Sequence, residues 1–105
     1  MQPQKIRIVY LSPAKEDILD IARYHLDKVG PQSARKITEA IETAINRLAE
    51  FPLMGQTHPD PVLADNGFRK LVVSSPYVCV YKLLESTVFV YRIVNGRMDY
   101  PKLLS

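Results

Sequence analysis

One cysteine, two histidines and four glycines in 105 residues leave little room for several kinds of chemistry. A lone thiol, Cys79, forbids an internal disulfide and a cysteine-rich zinc site. It sits in an apolar run, where it reads as a small core hydrophobe. His25 and His58 lie far apart in sequence with no ligand-like spacing around either, so no metal site is expected. There is no phosphate-cradling glycine loop, no dinucleotide fingerprint and no Gly-X-Ser-X-Gly elbow, and no cofactor is expected. No apolar run approaches the ~20 residues of a membrane span. The opening MQPQKIRIVYL lacks the apolar stretch of a signal peptide. A cytosolic chain without membrane association is therefore expected. The net charge of +3 is mild. It suits an RNA or an acidic protein partner and does not separate the two.

What is present reads as one domain with enough apolar residues, 47%, for one core. In KIRIVYL (5–11), Ile6, Ile8 and Tyr10 alternate with Lys5, Arg7 and Val9, which predicts a strand. Ser12 as N-cap and Pro13 in the first turn predict a helix from about Pro13 to Val29. Gly30 ends it and Pro31 starts a second helix to about Glu50, so the two form an antiparallel hairpin. His25, near the apolar face of the first helix, is expected to be a satisfied interior histidine. A loop over 56–67, rich in turn formers, follows. His58 is expected on its surface.

The stretch from Phe68 to Tyr100 predicts a three-stranded meander, at about Phe68–Val73, Tyr77–Leu84 and Thr87–Val94. On the middle strand Tyr77, Cys79, Tyr81 and Leu83 share one face. On the last strand Thr87, Phe89, Tyr91 and Ile93 are expected to oppose Val88, Val90, Arg92 and Val94. Both faces are apolar, yet one helical hairpin covers only one of them. The C-terminal segment, curling of the sheet or a partner protein must shelter the other. The fold class is thus α+β, in two layers of order β-α-α-β-β-β, with the hairpin packed on a largely antiparallel four-stranded sheet.

The basic and aromatic groups at the end of the meander are the candidate binding residues: Arg69, Tyr77, Arg92, Asn95, Arg97, Asp99 and Tyr100. Arginine and tyrosine together suit a phosphodiester, with arginine as bidentate cation and tyrosine as proton donor or stacking face. The same residues suit a protein-binding rim, or a solvated rim of partial ion pairs.

The element order and the segments IVYLSPAKEDILDIARY, FPLMG, FRKL…YVCVYKL and VFVYRIVNGRMDYPKLL resemble the RelE/ParE superfamily of toxins from type II toxin–antitoxin modules. The resemblance spans essentially the whole chain. It implies a cognate antitoxin that wraps the toxin with a helix or an added strand, in a hetero-oligomer. It also implies one of two activities. RelE-like members cleave messenger RNA on the ribosome, without metal. ParE-like members bind and poison DNA gyrase. For a nuclease, the resemblance would place Arg69, Arg97 and Tyr100 in the cleavage set. Leu71 stands where such nucleases carry a basic residue, Val78 where they carry arginine, and Asn95 where many relatives have histidine. The expectation is accordingly ParE-like and non-enzymatic.

Overall fold

Helix α1 (Ser12–Lys28) and helix α2 (Pro31–Asn46) are joined by Val29 and Gly30 alone. Gly30 has φ of +141°, a conformation open to glycine and strained for other residues, so the chain reverses there and the helices pack as a hairpin. The computed structural model describes residues 5–104. Strand β1 (Arg7–Tyr10) precedes the hairpin. Ser12 does not cap α1 as expected. Leu11 still donates to the Val90 carbonyl at 3.0 Å, which keeps it extended, and the Ala14 and Lys15 amides already bond to the Leu11 carbonyl. Leu11 is therefore the cap residue and Ser12 the first helical one. Helix α2 carries the sharper apolar stripe, and a 3-10 turn over Arg47–Ala49 ends it.

The remaining strands are β2 (Gln56–Thr57), β3 (Arg69–Ser74), β4 (Tyr77–Leu84) and β5 (Thr87–Asn95). They form one sheet in the order β1-β5-β4-β3-β2. Strand β1 runs parallel to β5, and the other pairs are antiparallel. The sheet thus has five strands rather than four. The added one is the two-residue β2, where Gln56 and Thr57 pair with Lys70 and Arg69. The loop that contains it also holds a short helix, α3 (Pro61–Asp65), capped by the Asp60 carboxylate, which accepts from the Leu63 amide at 3.1 Å.

Two apolar clusters lie on opposite faces of the sheet. On the hairpin side Ala14, Ile21, Ile41, Ile45 and Leu48 pack with Cys79, Tyr81, Val88, Val90 and Ile93. On the far side Leu63, Phe68, Val78, Val80, Val94 and Tyr100 pack together, joined by Tyr91 and Leu104. Each fully buried valine or leucine contributes about 2 kcal/mol by leaving water. The far face is therefore sheltered by the chain itself, through α3 and the C-terminal segment.

The expected alternation on β5 does not hold along its whole length. Val80 pairs with Arg92 but Tyr81 pairs with Val90, so Tyr91 is an extra residue in a β-bulge. Val88, Val90 and Ile93 consequently share the hairpin face, whereas Tyr91 and Val94 belong to the far one. A bulge changes the phase of a strand, which is why strict alternation puts Ile93 and Val94 each on the wrong face.

Candidate functional site

Arg69 opens β3 and points back at the segment that leaves α2. Its Nη2 donates to the Gly55 carbonyl at 2.6 Å and to the Leu53 carbonyl at 3.3 Å, and its Nε donates to Gly55 at 3.1 Å. Tyr81 completes this clasp. Its hydroxyl donates to the Pro52 carbonyl at 2.9 Å and accepts from the Gly55 amide at 3.1 Å. A Cβ on Gly55 would stand 2.7 Å from both the Lys70 carbonyl and the Tyr81 hydroxyl, so only glycine fits. The FPLMG segment is thus a buckle closed by Arg69 and Tyr81.

Arg92 is committed elsewhere. Its Nε and Nη2 donate to the two carboxylate oxygens of Asp17 on α1, at 2.7 and 2.9 Å. The Ile93 amide also donates to Asp17, at 2.9 Å. The carboxylate therefore ties α1 to the bulge and holds the Arg92 guanidinium firmly protonated.

Tyr100 is buried at 7% exposure within the far cluster, and its hydroxyl lies 2.7 Å from His58 Nε2. His58 is not the surface loop residue expected: it is 4% exposed. The Asp60 amide donates to His58 Nδ1 at 3.0 Å. Nδ1 must then be unprotonated, so Nε2 carries the proton and donates to Tyr100. Burial, with the Lys70 charge nearby, holds the imidazole pKa below its ordinary value despite Asp60. Burial and Asp60 push the Tyr100 phenol up. The partner of His58 is 42 residues away, which is why its place is not legible locally.

The remaining candidates gather at one end of the sheet. Tyr77, at the start of β4, pairs with Asn95 at the end of β5. Both line a cleft of about 540 Å³ with Tyr24 and His25 of α1, Ile37 of α2 and the Ser75–Pro76 turn. His25 forms the floor: Nδ1 lies 3.1 Å from Ser33 Oγ and Nε2 lies 3.3 Å from the Tyr77 hydroxyl. Half-buried and bonded at both nitrogens, it has the satisfied character expected of it. Desolvation, then the nearby Tyr24 hydroxyl, raise the Tyr77 phenol. Asn95 Oδ1 accepts from the Arg97 amide at 2.9 Å, which fixes the backbone of Arg97 beside Asn95. Arg97 and Asp99 are both exposed.

The candidate residues therefore do not form a single cluster. Tyr77, Asn95 and Arg97 come together, whereas Arg69, Arg92 and Tyr100 are each engaged by a different partner within the fold. Tyr24 and His58 are the residues that sequence reasoning missed. Tyr24 was open to notice as an aromatic off the apolar stripe of α1. Among the described residues no group of histidine, cysteine or acidic side chains is arranged to hold a metal ion, and no helix is long and apolar enough to cross a membrane. The Cys79 thiol is buried and pushed far above its ordinary pKa by desolvation, so it is inert as a nucleophile.

Comparison with known proteins gives a consistent result. Residues 8–100 match the family model described as the ParE toxin of the type II toxin–antitoxin system parDE. Toxin RelE2 of Caulobacter vibrioides is 31% identical over 87 residues, which cover 83% of this chain and 91% of that protein. The chromosomal ParDE toxin–antitoxin system from P. aeruginosa contains a chain that superposes with a TM-score of 0.74 at 20% identity, over 87% of this chain and 96% of that one. A chain of the E. coli DinJ–YafQ complex gives 0.60 at 14% identity, over 97% and 100%. At such identities the structural likeness shows the fold, which is the α+β arrangement of the RelE/ParE toxins. The family rests on the model match over nearly the whole chain and on the Caulobacter relative: this protein belongs to the ParE toxin family of type II toxin–antitoxin systems, within the RelE/ParE superfamily.

Proposed function

We propose that the chain inhibits growth by binding a target protein, DNA gyrase, in the cytoplasm, and that a cognate antitoxin neutralises it by covering part of its surface in a hetero-oligomer. The observation that carries this reading is the place of Tyr100. Metal-free cleavage of RNA at the ribose 2′-hydroxyl needs a base, cations around the phosphorane and an acid for the leaving oxygen. The tail tyrosine is the available acid, and it is buried against Val78, Val80 and Val94 with its oxygen on His58. Arg69 spends its donors on backbone carbonyls and Arg92 on Asp17. Of the arginines in the candidate set, Arg97 alone is an exposed residue.

Two assays with purified protein test the reading together. Supercoiling by gyrase should fall as the protein is added, while message bound to ribosomes stays intact. Intact supercoiling with cleavage of message in the ribosomal A site would replace this reading with the nuclease one.

A further inference from the structure

The tail that covers the far face is held differently from the loop it meets. His58 belongs to the loop, and the loop is anchored through its backbone. The His58 amide donates to the Phe68 carbonyl and the Phe68 amide to the Leu63 carbonyl, both at 3.0 Å. The tail, residues 97–104, has local backbone bonds: Met98 donates to Asn95, Leu103 to Tyr100 and Leu104 to Pro101. Its side chains reach the sheet. Tyr100 lies in the cluster of Leu63, Phe68, Val78, Val80 and Val94, Leu104 packs against that cluster, and the Tyr100 hydroxyl meets His58. A terminal segment held in this way opens at lower cost than the sheet beneath it.

The contact between loop and tail accepts one protonation state. The Asp60 amide donates to His58 Nδ1 at 3.0 Å, and Nε2 donates to the Tyr100 hydroxyl at 2.7 Å. A second proton on the ring goes to Nδ1. Two N–H donors would then face each other across 3.0 Å, at a ring only 4% exposed. The imidazolium cannot keep both contacts, so the ring turns or leaves, and the Tyr100 bond goes with it. Three elements present groups to this ring. Asp60 of the loop favours the proton. Burial, first, and Lys70 of β3 oppose it and prevail. Tyr100 of the tail faces Nε2, and burial with Asp60 raises its phenol, which stays neutral over the range in which histidine titrates. Lys102 of the tail lines, with Asp60, a cavity of about 180 Å³ at the same seam.

We propose that His58 and Tyr100 form a proton-operated latch: the neutral imidazole holds the tail over the far face, and the protonated one releases it as a strap while the sheet stays folded. Release uncovers Val78, Val80 and Val94, which are 4%, 0% and 9% exposed beneath the closed strap. The 3-10 turn of the tail, Pro101–Leu103, melts on release, because a single turn is not stable alone. The sign follows from linkage. The open strap leaves His58 in water with its ordinary value near 6.5, whereas the closed one holds it lower, so opening grows as pH falls through 6.5. The latch is a second conformation of the fold and does not depend on which target the toxin binds.

Hydrogen exchange of the full-length chain between pH 7.5 and pH 5.5, corrected for the intrinsic rate at each pH, tests it. Protection of the Leu103 and Leu104 amides should fall several-fold, with a ceiling of about 10-fold set by an open-state value of 6.5. At every pH these amides should exchange about 100-fold or more faster than those of Val78 and Val80, because the strap opens without the sheet. His58→Gln should abolish the pH dependence. Tyr100→Phe keeps the ring in the far cluster and removes the latch oxygen, and strap protection at pH 7.5 should fall about 5-fold, the size of one net hydrogen bond. Strap protection that is flat with pH in the wild type overturns the latch. A fall that persists in His58→Gln also overturns it, for another group is then the switch. Exchange of the strap in step with Val78 and Val80 overturns it too, because the tail then opens only with the whole domain. If His58→Gln does not fold, Tyr100→Phe decides: unchanged strap protection in that variant overturns the latch.

Discussion

The imidazole of His58 stands 2.7 Å from the hydroxyl of Tyr100, with the two rings set edge to face at 5.6 Å. This contact joins the loop before α3 to the C-terminal segment across 42 residues. Between Arg97 and Leu104 the backbone bonds are local: Met98 to Asn95, Leu103 to Tyr100 and Leu104 to Pro101. Tyr100 is thus the peg that fastens the tail to the far face of the sheet.

The first prediction concerns pH. The His58 pKa is lowered from 6.5 on folding, so the unfolded chain binds its proton first as pH falls. Its contribution is complete above the unfolded value near 6.5 and is lost progressively as pH drops below it. Protonation would also turn Nδ1 into a donor facing the Asp60 amide. Asp60, Lys70 and Tyr100 are the groups that face this ring, and Asp60 is the one that resists the shift. Thermal unfolding should fall between pH 7 and about pH 5.5, above the range where most carboxylates titrate. His58→Gln should flatten that slope.

A second prediction follows from the Arg69–Gly55 clasp. Gly55→Ala forces its Cβ against the Lys70 carbonyl and Tyr81, and should destabilise by about 1–3 kcal/mol. Arg69→Ala removes the donors that two buckle carbonyls use, and should cost about 1.5–3 kcal/mol. Urea titrations with an unchanged slope measure both. A wild-type midpoint for Arg69→Ala would mean that Arg69 is free for a ligand.

Third, Asp17→Ala strips Arg92 of its carboxylate and leaves the Ile93 amide unpaired at the bulge. A loss of about 3 kcal/mol is expected, since one partner of a partly buried pair is removed. Asp17→Asn still accepts from the Ile93 amide and should lose less. Hydrogen exchange at Ile93 reports the difference directly, with faster exchange in Asp17→Ala than in Asp17→Asn.

Much of the fold was legible because its signals are local. Pro13, Gly30 and Pro31 mark the hairpin, and β-branched and aromatic runs mark β3 to β5. What escaped depends on distance or on shortness. Strand β2 has two residues and shows no period, and α3 is a single turn hidden among turn formers. The bulge at Tyr91 is stabilised by Asp17, an Arg92 partner 75 residues away. Basic residues were legible as candidates, but not their engagement. Arg69 and Arg92 look alike with Arg97 in the sequence, and only packing shows that the first two are internal struts.

Replacement of Tyr100 by phenylalanine tests the central claim most directly, because it keeps the ring in the far cluster and removes only the phenolic oxygen. Growth inhibition by Tyr100→Phe at the wild-type level, from a chain slightly less stable, is the result expected of a toxin that acts by binding. A loss of toxicity of about 10²-fold or more in a folded Tyr100→Phe chain would contradict it, for that is the magnitude by which removing a general acid slows a reaction.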